Sequence, residues 1–451
     1  MVVSTLRINT RTTAPRLATR IWDQSSPWLW ALLLVFLAAP EFAGCPEPVR
    51  TALYSSRTLV TICVVLVYMA GATVFWRAPL EIFRSKKLSV IAAVWAFFLV
   101  FYFSITRAHG RFDVATMGLY GCWSLVAVLT AASMAEHPHR LQRLLWSLLV
   151  ASALVVCCAL LTYLYFGGAS SAFAGRFAFG FQNPNYFAQY PETAIISGAA
   201  LCRLGVVGRN RILLFRLAGL VAFGFMVAAR SRNTCLAVIV FVSVCYLAKR
   251  GRHRVAGLVA FCLASMVLSL SQCLDTSILS EANEYSSARL SLWTTLGTTV
   301  ARDPGRLFAL LVGPDELPHY DAPSYNHAFH SVSHEKFHAD NSYIDMASEV
   351  GLLGLLLFLV PFIFLAVMFR RRQNMIWGMG LCVAVAIQAC VVSIAPSFGC
   401  PIGVLVCLVL IPAMLALHLP QGAVGFSRKT GRGHLFGTPT GCRRAGDPLG
   451  A

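Results

Sequence analysis

The chain of 451 residues is 57% hydrophobic and only 12% charged, with a mean hydropathy of +0.68. A soluble domain carries about 25% charged residues, so this composition excludes an ordinary water-soluble protein and puts most of the chain in lipid. The net charge of +18 raises nucleic acid as a partner, an option that the placement of the charges removes.

A membrane helix needs about 20 mostly apolar residues. Measured against that length, apolar stretches fall at 27–44, 57–76, 88–106, 114–134, 143–166, 185–204, 211–229, 233–248, 254–271, 342–369, 375–393 and 400–418. They predict an all-α polytopic membrane protein with about twelve transmembrane helices. The organisation follows: a cytoplasmic tail over 1–26, nine spans over 27–271, a long polar loop with short helices over 272–341, three spans over 342–418 and a disordered tail over 419–451. Trp28 to Ala39 also resembles a signal-peptide core before Cys45. The polar leader is long, however, and Pro40-Glu41-Phe42 fits a lipoprotein cleavage site poorly, so an uncleaved first span is expected.

The basic residues fix the orientation. Arg7, Arg11, Arg16 and Arg20, then Arg84, Lys86 and Lys87, Arg140 and Arg143, Arg209 and Arg211, Lys249 and Arg250, Arg370 to Arg372, and the tail residues Arg428, Lys429 and Arg432 all fall on one side. Cytoplasmic loops carry such an excess of Lys and Arg. Both termini are therefore expected in the cytoplasm, the 272–341 loop outside, and the charge is topology rather than a nucleic-acid footprint. Such a multi-pass protein belongs in the inner membrane, among membrane lipids. Fifteen cysteines are scattered without metal spacing, and only Cys45, Cys273 and Cys400 fall near the outer face.

Topology leaves some outside cations unexplained: Arg50, Arg57, Arg107, Arg111, Arg176, Arg230, Arg232, Arg289, Arg302, Arg306 and Lys336. Arg230, Ser231 and Arg232 form the whole turn between the seventh and eighth spans. An arginine at a membrane edge can simply snorkel to the headgroups, so this turn gains meaning only beside a second cluster. Asn183, Pro184 and Asn185 provide one, following a Phe-rich stretch from Arg176. Asn183 as a cap and Pro184 in the first turn also explain that triplet as a helix start.

The polar loop supplies more. An amphipathic segment from Ser286 carries Arg289 and Trp293, and His327, His330, His334 and His338 follow at helical spacing. Histidines four apart can share a zinc ion, but no cysteine partners them and a solvated loop is the simpler reading, so no metal is expected. His338 differs in lying closest to the membrane, ahead of Asp340, Asn341 and Tyr343.

Taken in order, the segment 180–188 around Asn183, then Ser231-Arg232-Asn233, then Ala288-Arg289-Leu290 with Trp293, then His338-Ala339-Asp340-Asn341 and Glu349-Val350-Gly351-Leu352-Leu353-Gly354 resemble the O-antigen ligase and O-antigen polymerase superfamily over roughly residues 170–370. Two departures are Asp340, where the family often has His or Asn, and Asn233, where it has a small residue. The resemblance implies a metal-independent glycosyltransferase without a cofactor, with His338 as its catalytic residue.

Chemistry supports that reading independently. Outside the membrane no nucleotide sugars are available, so a glycan donor must carry its own activation, as a polyprenyl-pyrophosphate-linked glycan does. The diphosphate leaving group needs fixed positive charge, and the planar fork of arginine binds phosphate oxygens bidentately. Arg232 and Arg289 are the expected pyrophosphate ligands, with Arg230 and Arg176 in reserve and Asn183, Asn185, Asp340 and Asn341 in support. Histidine near neutral pH suits a base for the acceptor hydroxyl. The acceptor is expected to be lipid A-core or another glycan, the reaction inverting, and the active site periplasmic. A polymerase of the same superfamily is the alternative, suggested by the Arg289 to Gly305 spacing. A transporter ranks lower, because transporters bind at the midplane whereas the polar groups here gather at one face.

Overall fold

The computed structural model describes residues 13–42, 45–75, 86–108, 114–137, 139–165, 177, 179–181, 183–249, 342–369, 376–389 and 401–412. Their elements are α1 (Thr13–Ala38), α2 (Glu47–Phe75), α3 (Lys86–Ala108), α4 (Val114–Glu136), α5 (His139–Tyr165), α6 (Pro184–Arg203), α7 (Ile212–Ala228), α8 (Arg232–Lys249), α9 (Ser342–Phe369), α10 (Ile376–Ala389) and α11 (Pro401–Leu405), the last running into a π-helical stretch at Val406–Leu410. No strand occurs among the described residues, only an isolated bridge between Phe42 and Phe181.

Among the described residues, four segments are long and apolar enough to cross a bilayer: Glu47–Val74, Ser89–Ala108, Met117–Met134 and His139–Tyr165. Shorter apolar helices cover Ile212–Ala228, Asn233–Leu247, Val350–Pro361 and Trp377–Ala386. The predicted ninth span, 254–271, and the whole 272–341 loop lie outside the described residues. Along α7, Leu213, Leu214, Leu217, Leu220 and Val221 are all more than half exposed, and Met226 is buried. A helix that presents leucine outward on this scale matches a lipid surface rather than water.

Helix α1 begins well before the apolar stretch expected at 27–44. Its extra turns are polar for a reason that only the packing shows. Asp23 receives Arg140 Nη2 at 2.7 and 2.8 Å, and both side chains are nearly buried. Arg140 Nη1 also donates to Ser133 O at 3.1 Å, and Arg143 to Asp23 O at 3.1 Å. The pair lines a small pocket with Ser26, Tyr68, Thr130 and Ser133. One step deeper, Trp30 meets Tyr68 edge-on at 5.1 Å, and Leu33, Leu34 and Leu37 pack with Leu145 and Leu148 of α5.

A second cluster joins α3, α4 and α9 through Trp95, Phe98, Tyr102, Tyr120 and Phe358, with Trp95 Nε1 donating to Ser124 Oγ at 2.8 Å. Helix α10 lies so close to α8 that a Cβ on Gly380 would meet Cys245 Sγ at 2.9 Å and Phe241 at 3.0 Å. Small residues permit such approach where no hydrophobic drive holds helices together. Asp23 and Arg140 join the early part of α1 to the start of α5 and mark one end of the bundle, and Asn183, at the start of the next helix, marks the other. Arg203, at the end of α6, donates to Cys245 O near the end of α8, and Tyr343, at the start of α9, donates to Ala386 O in the last turn of α10.

His137 stands beside the ion pair in the α4–α5 connection. Burial first, and then the Arg140 charge, push its imidazole below the usual range, with Asp23 opposing. Protonation therefore favours the unfolded chain: the contribution is complete above about pH 6.5 and is lost as the pH falls through that value. Thermal unfolding of the purified protein is expected to drop in temperature below about pH 6.5, and to drop less in His137→Gln. Removing the carboxylate of the buried pair, as in Asp23→Ala, is expected to cost roughly 3–5 kcal/mol, read as a lowered unfolding midpoint.

Candidate functional site

At the second end of the bundle, Asn183 has an extended backbone (φ −113°, ψ 113°), and its side-chain oxygen accepts from Asn185 N at 2.9 Å. Pro184 follows at the first helical position, and Phe187 N closes the first turn onto Asn183 O at 3.1 Å. Asn183 is thus an N-cap, as its place before proline suggests. Asn185 is half-buried on the first turn of α6.

The turn between α7 and α8 is equally defined. Arg230 takes φ 50°, its N donating to Val227 O at 2.9 Å while Ser231 N donates to Met226 O at 3.3 Å. This is a Schellman-type stop, in which glycine normally holds the left-handed position. Ser231 is buried, pairs its hydroxyl with Thr234 Oγ1 at 2.8 Å and accepts from Cys235 N at 3.0 Å, which starts α8. Arg230 is exposed beside it, and Arg232 opens α8 with a side chain outside the described residues.

Aromatic packing brings the two turns together. Phe179, with a left-handed backbone (φ 46°), lies 5.1 Å from Phe187 of α6 and 5.3 Å from Phe225 in the last turn of α7. Phe181 packs edge-on against Phe42 at 4.8 Å and against Phe187 at 5.5 Å. Arg57, one of the cations that topology leaves unexplained, joins the same region. Its guanidinium lies 4.5 Å from the Tyr54 ring centre and 5.8 Å from that of Tyr186, and its Nη2 donates to Glu41 Oε1 at 2.9 Å and to Leu37 O. Tyr54 OH donates to the same Glu41 oxygen at 3.0 Å. Pairing and stacking occupy this arginine, so it fixes the connection from α1 to α2 against α6. Its sequence signal was its outside position; that it meets Tyr186 was not legible.

The third strand of the site enters through α9. Tyr343 OH donates to Ala386 O of α10 at 2.8 Å, docking the residues that follow Asn341. Nine residues into the helix, Gly351 (φ 74°, ψ 173°) breaks the α-helical backbone in a conformation open essentially to glycine alone. It belongs to the Glu349 to Gly354 segment noted in the sequence. Arg176, Arg289, His338, Asp340 and Asn341 lie outside the described residues. The structure therefore brings together the Asn183 and Arg230 turns, while the start of α9 docks on α10, which packs on α6 and α8. Among the described residues no group of three or more His, Cys, Asp or Glu is arranged to hold a metal ion.

Apolar helices arranged in this way define an integral membrane protein of the all-α class. Residues 217–359, from α7 to the broken helix α9, match the family model of the O-antigen ligases. The match supports the O-antigen ligase and polymerase superfamily, the resemblance read from the motifs, and points to a membrane enzyme of glycan transfer. No curated protein matches the chain.

Because Asn183 caps α6, Asn183→Ala is expected to lower stability by roughly 0.5–2 kcal/mol, whereas Asn183→Asp keeps the acceptor. Equal thermal midpoints for the two variants would show that the cap contributes nothing.

Proposed function

We propose that the protein transfers a glycan from a polyprenyl-pyrophosphate carrier to an acceptor hydroxyl at the outer face of the inner membrane, as an O-antigen ligase does. The observation that carries this reading is the family match over 217–359, which contains Arg230, Arg232, Arg289, His338 and Asn341 in motif order. The convergence of the Asn183 and Arg230 turns at one bundle end supports it. So does the left-handed backbone of Arg230. Holding a non-glycine residue there costs on the order of 1–3 kcal/mol, and such strain gathers at functional sites.

In the proposed reaction His338 takes the proton from the acceptor hydroxyl as its oxygen attacks the anomeric carbon. The new glycosidic C–O bond forms as the bond from that carbon to the phosphate oxygen breaks, with inversion. Polyprenyl pyrophosphate departs as an anion, and its developing charge is met by Arg232 and Arg289, with Arg230 and Arg176 nearby. Fixed cations in a poorly solvated place stabilise such charge better than water does. Asp340, Asn341, Asn183 and Asn185 hold these groups in place. The chemistry asks for no metal or cofactor, since the leaving group is activated and the cations are supplied by the chain. The acceptor is lipid A-core or another glycan, and both termini face the cytoplasm.

A general base contributes about 10²–10⁴ in rate, so His338→Ala is expected to abolish glycan delivery when it complements a deletion strain. Arg232→Ala is expected to do the same. A wild-type glycan profile from both variants overturns the reading. Long undelivered chains on the lipid carrier in the deletion strain identify a ligase, and single lipid-linked repeat units identify a polymerase. Solute uptake without a change in glycans would identify a transporter.

A further inference from the structure

Glu192 lies in the middle of α6 with no exposed surface, about 12 Å along the helix from Pro184 at 1.5 Å per residue. Gln388, in the last turn of α10, donates Nε2 to both of its oxygens at 2.7 and 2.6 Å. The two residues are 196 positions apart in sequence, and neither is needed for the proposed chemistry. Gln388 Oε1 is buried and has no hydrogen-bond partner among the described residues. A carboxyl group and an amide placed together inside an apolar bundle are expensive, and an apolar pair of similar size is often at least as stable. The best-attested use of such a buried polar contact is to specify one register among several similar packings.

The position of the pair shows which register that is. Helix α10 packs on α6, α8 and α9. Two residues before Gln388, Ala386 O accepts from Tyr343, at the start of α9. On the other side, α6, which carries Glu192, also packs on α8, the helix that Arg232 opens. Its own helix begins at the Asn183 turn. Helix α10 thus packs on all three helices that carry the site, its last turn meets α6 and α9, and the amide fixes its rotation and depth against α6. Apolar side chains alone would allow α10 to slide or turn at small cost, because lipid and protein are equally apolar there.

Resting on the glycan-transfer reading, we infer that Glu192 and Gln388 are positioning residues whose contact aligns the Asn183, Arg230 and α9 segments for catalysis. Gln388 acts through the elements it aligns and does not touch the substrate. Misplacement of reacting groups by about 1 Å can cost about 10²-fold in rate.

The test uses the full chain, purified and reconstituted, transferring glycan from a polyprenyl-pyrophosphate-linked donor. Gln388→Leu is expected to lower kcat by about 10–100-fold while the KM for donor changes little. The exchange Glu192→Gln with Gln388→Glu restores an amide–carboxyl pair and is expected to recover most of kcat. Glu192→Gln alone keeps a hydrogen-bonding side chain and is expected to fall between the two. Wild-type kcat in Gln388→Leu overturns the inference, as does an exchange variant no better than Gln388→Leu. If Gln388→Leu does not fold, the exchange variant against Gln388→Glu alone decides the matter. A wild-type protein that transfers no glycan sinks the functional reading itself, whereas transfer by wild type that is indifferent to Gln388 sinks only the positioning role.

Discussion

Inside a bilayer the backbone finds no water, so every N–H and C=O must be satisfied within the chain. That constraint shapes what can be built here. The spans become helices whatever their side-chain sequence, and irregular backbone is pushed to the ends of the bundle. Where it enters the interior, it needs a reason. Gly351 breaks α9 nine residues from its start, in the segment that the O-antigen ligase family model covers. The turns at Phe179, Gly180 and Arg230, all with positive φ, lie at the same end.

Polar side chains obey a related rule, since a charge in the membrane must be paired or edged into headgroups. The two ends solve it differently. At one, Asp23 and Arg140 neutralise each other between α1 and α5 and set how far α1 extends. At the other, Glu41, Arg57 and Tyr54 close the α1–α2 connection against Tyr186, leaving the Arg230 side chain exposed. Between them, Glu192 and Gln388 place a polar contact where apolar packing alone would not choose one arrangement.

Much of the fold could be read from residue order because lipid imposes a single pattern, length and apolarity. The apolar stretch at 342–369 coincides with helix α9, and those at 185–204, 211–229 and 233–248 meet helices α6, α7 and α8 within a residue or two. Helix α1 extends further back than the apolar stretch at 27–44: polar residues around Asp23 look like a tail until Arg140, 117 positions away, is seen to donate to Asp23. In the site, Asn183 before proline announced its cap because capping is local chemistry. Arg57 and Glu192 announced nothing of their partners, because ion pairing and stacking depend on distance in space.

The sequence by itself determined that this is an all-α membrane protein, and the order of its motifs carried the superfamily that the match over 217–359 supports. Those features depend on composition, period and local spacing, all of which survive in one dimension. Only the tertiary structure decided that the Asn183 and Arg230 turns pack together, and that α10 packs on α6, α8 and α9. Helix contacts in lipid are set by close packing and a few polar pairs. Such pairs join residues as far apart as Glu192 and Gln388, and no local pattern in the chain encodes their meeting.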